Sequence, residues 1–185
     1  MRGFFAPLYR TLPGFALFGI LVAAPVASLA ADAGQMPLPE VYFSPNGGAT
    51  EAIVREITAA KKSVLVQAYS FTSAPIAKAL VEAFRRGVQV EAILDKSNRT
   101  ANYSEADFLA HARIPTRIDS RHAIAHCKVM IIDGENVITG SFNFTKAAEQ
   151  SNAENLLILR SQKLAAKYIE DFLHHRAHSE PYAGR

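Results

Sequence analysis

His126-Cys127-Lys128-Val129-Met130-Ile131-Ile132-Asp133-Gly134-Glu135-Asn136-Val137-Ile138-Thr139-Gly140-Ser141-Phe142-Asn143, residues 126–143, reads as two strands around a tight turn. Lys128 to Ile132 is an apolar, β-branched run, and Val137 to Ser141 is another. Gly134-Glu135 between them fits a two-residue hairpin loop. That loop would pair Asp133 with Asn136, Lys128 with Ser141 and His126 with Asn143. Side chains alternate across a strand, so His126 and Lys128 share a face. The expected register gathers His126, Lys128, Ser141 and Asn143 on one patch. Asp133 has the other parity and is expected to be a structural partner near the turn, not a catalytic acid.

These residue types suit phosphoryl transfer. An imidazole can attack phosphorus, or hold a proton for a leaving alkoxide, because imidazoles titrate near neutral pH. Lys128 offers a positive charge to the non-bridging oxygens, where transition-state charge collects. Ser141 and Asn143 offer neutral hydrogen-bond donors to the same oxygens.

Upstream of the hairpin, strands and helices alternate. Glu40 to Ser44 reads as a strand, Asn46-Gly47-Gly48 as a turn, and Thr50 as a cap for a helix over Glu51 to Lys61. Val64 to Ala68 and Val88 to Leu94 read as strands. Pro75 to Arg86 reads as a helix with Ile76, Leu80, Val81 and Phe84 on one stripe, stopped by Gly87. Ser97 to Tyr103 reads as a loop, Glu105 to Ala112 as a short helix and Pro115 to Ile118 as a strand edge. Downstream, Asn155 to Leu159 reads as a strand and Gln162 to His175 as a closing amphipathic helix. The expected fold class is α/β, with a mostly parallel sheet covered by helices on both faces, plus the hairpin.

The first thirty residues read as a secretory signal. Arg2 and Arg10 form a basic leader, Phe15 to Ala24 is apolar but short for a membrane span, and Ser28-Leu29-Ala30 offers small residues for cleavage. An uncleaved anchor is the rival reading. Cleavage after Ala30 would leave residues 31–185 as one domain in the periplasm or outside the cell. Removing Arg2 and Arg10 takes the net charge from +3 to +1. Overall charge is therefore no argument for nucleic-acid binding, and any basic surface must be local. Lys78, Arg85, Arg86, Lys96, Arg99, Arg117, Arg121 and Lys146 are the candidate phosphate contacts. Cys127 is the only cysteine, which excludes an intrachain disulfide, and it reads as a small buried residue on the inner strand face. His174, His175 and His178 could suggest metal binding, but they read first as a solvated helix end. The sequence presents no evident metal-ligand cluster, so neither metal nor cofactor is expected.

The pattern H-x-K-x4-D-x6-G-S-x-N resembles the HKD signature of the phospholipase D superfamily. Val41-Tyr42-Phe43-Ser44-Pro45, Ala68-Tyr69-Ser70-Phe71-Thr72 and the segment from Thr139 to Glu149 resemble its small bacterial endonuclease branch. The likeness runs from about Pro39 to about Phe172 and implies an α/β/α sandwich. It also implies His126 as a nucleophile forming a covalent phosphohistidine, with Lys128 and Asn143 holding the phosphate and Ser141 supporting the site. Asp133 and Gly140 become structural motif residues. A downstream glutamate that orients the nucleophile matches Glu154, with Glu149 as its rival. Members carry one motif per chain and act as homodimers, so a second copy of His126 would serve as the general acid; His122 is the alternative within one chain. The resemblance implies a metal-independent endonuclease acting on DNA, or on RNA. A phospholipase on phosphodiester lipids is the second reading, although no membrane-binding helix is evident in the mature chain and no stable membrane association is expected after signal removal. The third is a nucleic-acid-binding protein that has lost catalysis, which the intact motif disfavours.

Overall fold

Every residue of Lys128–Ile132 is buried, the pattern of a central strand covered on both faces. A computed structural model describes residues 38–185. The expected signal segment and its cleavage point lie outside the described residues. The chain runs β1 (Glu40–Ser44), α1 (Ala49–Ala59), β2 (Ser63–Ala68), α2 (Ala74–Arg85), β3 (Gln89–Asp95), a 3-10 turn (Lys96–Arg99), α3 (Ala106–His111), β4 (Thr116–Asp119), β5 (Lys128–Ile132), β6 (Asn136–Gly140), α4 (Lys146–Gln150), β7 (Glu154–Arg160), α5 (Gln162–His178) and β8 (Glu180–Tyr182).

The eight strands form one sheet in the order β1-β7-β6-β5-β2-β3-β4-β8. The α/β class and the mixed sheet agree with the sequence, but the sheet is not mostly parallel. Only β2–β3 and β3–β4 run parallel; the other neighbours are antiparallel. The reason is connectivity. Helices α2 and α3 carry the chain back between β2, β3 and β4, whereas a tight turn joins β5 to β6 and forces reversal.

Strand parity sorts the core. Val64, Val66, Val90, Ala92, Met130, Ile138, Leu156 and Ile158 pack with Ile53 and Ile57 of α1 and Ile76 and Leu80 of α2. Val129, Ile131 and Val137 pack with Ala165 on the opposite face, under α5. Cys127 joins that second face with Leu164 and Tyr168, as its parity foretold, and burial pushes its thiol up. The sheet is thus sandwiched between helices.

One local expectation needs correction, and one element is new. Helix α1 begins at Ala49, and Thr50 does not cap it. Instead the Glu149 carboxylate, from α4, accepts the backbone N–H groups of Gly48 (3.1 Å) and Thr50 (2.7 Å). The cap is supplied from far along the chain. β8 was also unforeseen: it is a three-residue edge strand containing Pro181 and has no periodicity to read.

The hairpin register is shifted by one residue. Ile132 pairs with Asn136 and Val129 with Thr139. Asp133 (φ 57°) and Gly134 (φ 70°) occupy the turn, closed by Glu135 N–H donating to Ile132 O. Glu135 is then an extra residue on the β6 side, a bulge that moves the pairing by one. Asp133 holds this turn to the α1–β2 connection, its carboxylate accepting backbone N–H groups from Lys61, Lys62 and Ser63 at 2.7–3.1 Å. Burial raises the Asp133 pKa, but the three backbone donors outweigh it and hold the carboxyl below its ordinary range. Asp133→Ala should cost about 2–4 kcal/mol, from lost charge-assisted bonds and an alanine forced to positive φ. Thermal melting checks this: a fall of less than about 2 °C would contradict the role. Because the folded pKa is depressed, this stabilisation is present above the ordinary aspartate range and is lost as pH falls through the depressed value.

Candidate active site

The sequence-selected residues, Asp133 excepted, lie along one rim of the sheet. β2 ends at Ala68, opposite Lys128 where β5 begins. β6 ends at Gly140, opposite Leu156, and β7 begins with Glu154, opposite Ser44. The parallel strands β2 and β3 also end here, at the carboxyl edge where open α/β sheets place their sites. Asp133 sits at the other end of β5, which fits a structural and not a chemical part.

The shifted register puts Lys128 in line with Gly140, not Ser141. Regular hairpin pairing therefore does not set Ser141 and Asn143 opposite Lys128 and His126. The pairing ends at Gly140, whose φ is 152°. A Cβ there would lie 2.3 Å from Asn155 O, so the position requires glycine. Past it, Phe142 N–H donates to Asn155 O, and Asn155 N–H donates to the Ser141 hydroxyl oxygen at 3.0 Å. Asn155 Nδ2 approaches the same oxygen at 3.4 Å. With its oxygen accepting, the Ser141 hydroxyl proton is free for an outside acceptor. Phe142 and Phe144 are buried on either side of Asn143, whose Oδ1 is buried with no partner among the described residues.

His126 is exposed, and its ring lies 4.7 Å from that of Tyr69. Lys128 is 7 % exposed. Its ammonium donates to His126 O at 2.9 Å and sits 5.0 Å from the Tyr69 ring centroid. Burial pushes this ammonium below the usual lysine range, and the Glu154 carboxylate, whose charge acts on it, works in the opposite direction. The arrangement offers a reachable imidazole, a partly desolvated cation and a free hydroxyl donor. Glu154 accepts only from Asn152 Nδ2 at 3.1 Å among its described contacts. Its rival Glu149 is spent on the α1 terminus, which favours Glu154 for the orienting part.

Tyr69 is the residue that sequence reading missed. Its segment carries part of the family resemblance, which gives Tyr69 itself no part. Its backbone N–H donates to Cys127 O, so β2 delivers its ring to the motif. Buried Asn98 fixes that delivery, bonding Tyr69 O at 2.6 Å and Asp95 O at 3.1 Å. Asp95 in turn accepts Ala125 N–H at 2.8 Å, anchoring the approach to His126.

Other expectations fare differently. Arg86 and Arg117 donate to backbone carbonyls, Arg99 pairs with Glu180, Lys78 with Glu82, and Lys96 donates to His122 O. Arg85, Arg121 and Lys146 are exposed, and the last two lie on the segments flanking the motif. His175 and His178 are not a solvated helix end. Their side chains are only 14 % and 10 % exposed, and both meet the buried Asp119, as does His122. The sequence concealed this because Asp119 is remote from them along the chain. His122 is thereby engaged away from the motif, which weakens its candidacy as an in-chain acid.

Residues 53–176 match the family described as cardiolipin synthase, PLD-like domain. A phospholipase D from Rickettsia conorii is 44% identical over 135 residues, covering 73% of this chain and 68% of the relative. A mitochondrial cardiolipin hydrolase from Canis lupus familiaris is 32% identical over 120 residues, covering 65% and 47%. Among solved structures, Nuc, a phospholipase D family member from Salmonella typhimurium, superposes with a TM-score of 0.75 at 41% identity. That superposition covers 78% of this chain and 97% of Nuc.

Proposed function

This chain belongs to the phospholipase D superfamily of phosphodiester hydrolases, and we propose that it is a metal-independent endonuclease whose site is completed by a second copy of itself. The observation that carries this is the exposed His126 held against Tyr69 and the buried Lys128 on an open rim. One such set supplies a nucleophile but no general acid. A two-fold axis beside His126 would bring a second set into the same cleft.

An imidazole nitrogen of one His126 attacks phosphorus, and the P–O bond to the leaving group breaks. The leaving oxygen takes a proton from the His126 of the second copy. That imidazole then removes a proton from water, whose oxygen attacks the phosphohistidine and releases the first imidazole. Lys128, the Ser141 hydroxyl and the Asn143 amide carry the charge on the non-bridging oxygens, the task a cation performs in metal nucleases. Glu154 orients the attacking imidazole. Asp133 and Gly140 hold the scaffold.

DNA is the preferred substrate, with RNA as its variant. The Nuc likeness covers nearly all of that chain, and exposed Arg121 and Lys146 flank the rim. A phosphodiester lipid is the second reading, favoured by the name of the Rickettsia relative and by Ile124, 55% exposed and two residues before His126. Among the described residues no helix is long and apolar enough to cross a membrane. We further propose export to the periplasm or beyond, on the signal-like residues 1–30.

Plasmid nicking in EDTA tests the proposal, with sedimentation run alongside. The expected result is cleavage in chelator, weakening steeply with salt, by a dimer. Loss of cleavage restored by magnesium, or an active monomer, would overturn it. Vesicle hydrolysis without nicking would install the lipid reading.

A further inference from the structure

Three imidazoles and one carboxylate, none used by the proposed chemistry, converge on a single point beside the approach to His126. Asp119 ends β4 and is fully buried. Its Oδ2 lies 3.0 Å from His122 Nδ1, 2.8 Å from His175 Nδ1 and 3.2 Å from His178 Nε2. His175 and His178, at i and i+3, share a face at the end of α5. The three rings form a nearly even triangle, with centroids 4.9, 5.2 and 5.3 Å apart.

Hydrogen bonding alone satisfies this cluster poorly. A carboxylate oxygen has two lone pairs, yet three ring nitrogens crowd the same one. Donor atoms gathered around a common centre are instead the pattern of a cation site. All four ligand atoms lie within 4.8 Å of one another. A tetrahedral centre with bonds of about 2.0–2.1 Å separates its ligands by about 3.3 Å, which the Oδ2–nitrogen distances already approach. His175 Nε2, facing away from the cluster, lies 3.8 Å from Asp171 Oδ2, beyond hydrogen-bond reach but close enough for the carboxylate to favour a proton on that nitrogen and leave Nδ1 as the ligand atom. Asp119 Oδ1 accepts Arg121 N–H at 3.0 Å.

We propose that Asp119 Oδ2, His122 Nδ1, His175 Nδ1 and His178 Nε2 form a binding site for one divalent first-row transition cation, with zinc the best match. Imidazole-rich sets suit such ions, not magnesium or calcium. Four protein ligands close the coordination sphere, so the ion is structural and carries no substrate. It ties the end of α5 to the end of β4 and, through His122, to the segment leading to Ala125 and His126. The site is independent of which phosphodiester the protein cleaves.

The test uses purified protein without a polyhistidine tag, stripped with chelator, dialysed and titrated with zinc chloride in a calorimeter. Thermal melts with and without zinc run in parallel. One equivalent should bind, and zinc should raise the melting temperature. His178→Gln and His122→Gln should each weaken binding at least about tenfold, no less than the loss of an outer partner costs. His174→Ala, at an exposed neighbour outside the set, should leave it unchanged. No heat and no melting shift with zinc would reduce the cluster to hydrogen bonds and overturn the proposal. Binding that survives both glutamine variants, each shown folded by circular dichroism, would place zinc elsewhere and overturn it equally. These readouts are blind to hydrolysis, so they stand or fall apart from the nuclease reading.

Discussion

His126→Ala should lower phosphodiester cleavage by about ten-thousandfold or more, the scale of losing a nucleophile that works as one unit with its neighbours. The protein should melt as before. The imidazole is exposed and packs only against the Tyr69 ring among its described ring contacts, so its removal opens no core cavity. Its backbone oxygen, which accepts from Lys128, remains. Plasmid nicking and a thermal melt on the same sample separate chemistry from folding. A shared site adds a sharper consequence. Mixing the variant into the wild-type protein under subunit exchange should depress activity beyond simple dilution, because mixed dimers lack either nucleophile or acid. Activity that tracks only the wild-type fraction would put both functions in one chain.

Lys128→Met should lower kcat by about a hundred- to a thousandfold, the usual cost of removing one preorganised stabiliser of transition-state charge. Methionine approximates the buried stem against Tyr69, so packing is largely kept. The burial that depresses the Lys128 ammonium also sets a pH signature. The alkaline loss of activity should begin below the ordinary lysine range, and Lys128→Arg, which stays charged, should push that limb upward wherever it remains active. A Lys128→Met enzyme changed only in KM would show that the cation merely binds substrate.

How far the fold could be read depended on whether the cause was local. β5 and the start of β7 follow from apolar runs bounded by turn residues, and the parity of Cys127 follows from β5 alone. The register did not follow, because Asp133 itself enters the turn at positive φ and Glu135 bulges. Whatever grouping Ser141 and Asn143 make with β5 depends on the glycine-dependent break at Gly140 before Ser141, not on the expected pairing. The sequence supplied Gly140 but not its reason, the close approach of Asn155 O. The cap on α1, the Asn98 bridge to Tyr69 and the cluster around Asp119 all join residues remote in sequence. Composition and spacing cannot pair those; only the folded sheet does. Similarly, the alternation of strands and helices foretold an α/β sandwich, but strand direction depended on connections whose neighbours were unknown.

The central claim is a covalent phosphohistidine on His126. The direct measurement is acid-free denaturing quench of the enzyme during cleavage of a labelled oligonucleotide, in EDTA, followed by mass analysis of the peptide containing His126. The expected result is a nucleotidyl adduct on that imidazole, absent from His126→Ala and decaying at the turnover rate. Rapid cleavage with no adduct on His126 at any time, or an adduct on another residue, would contradict the account.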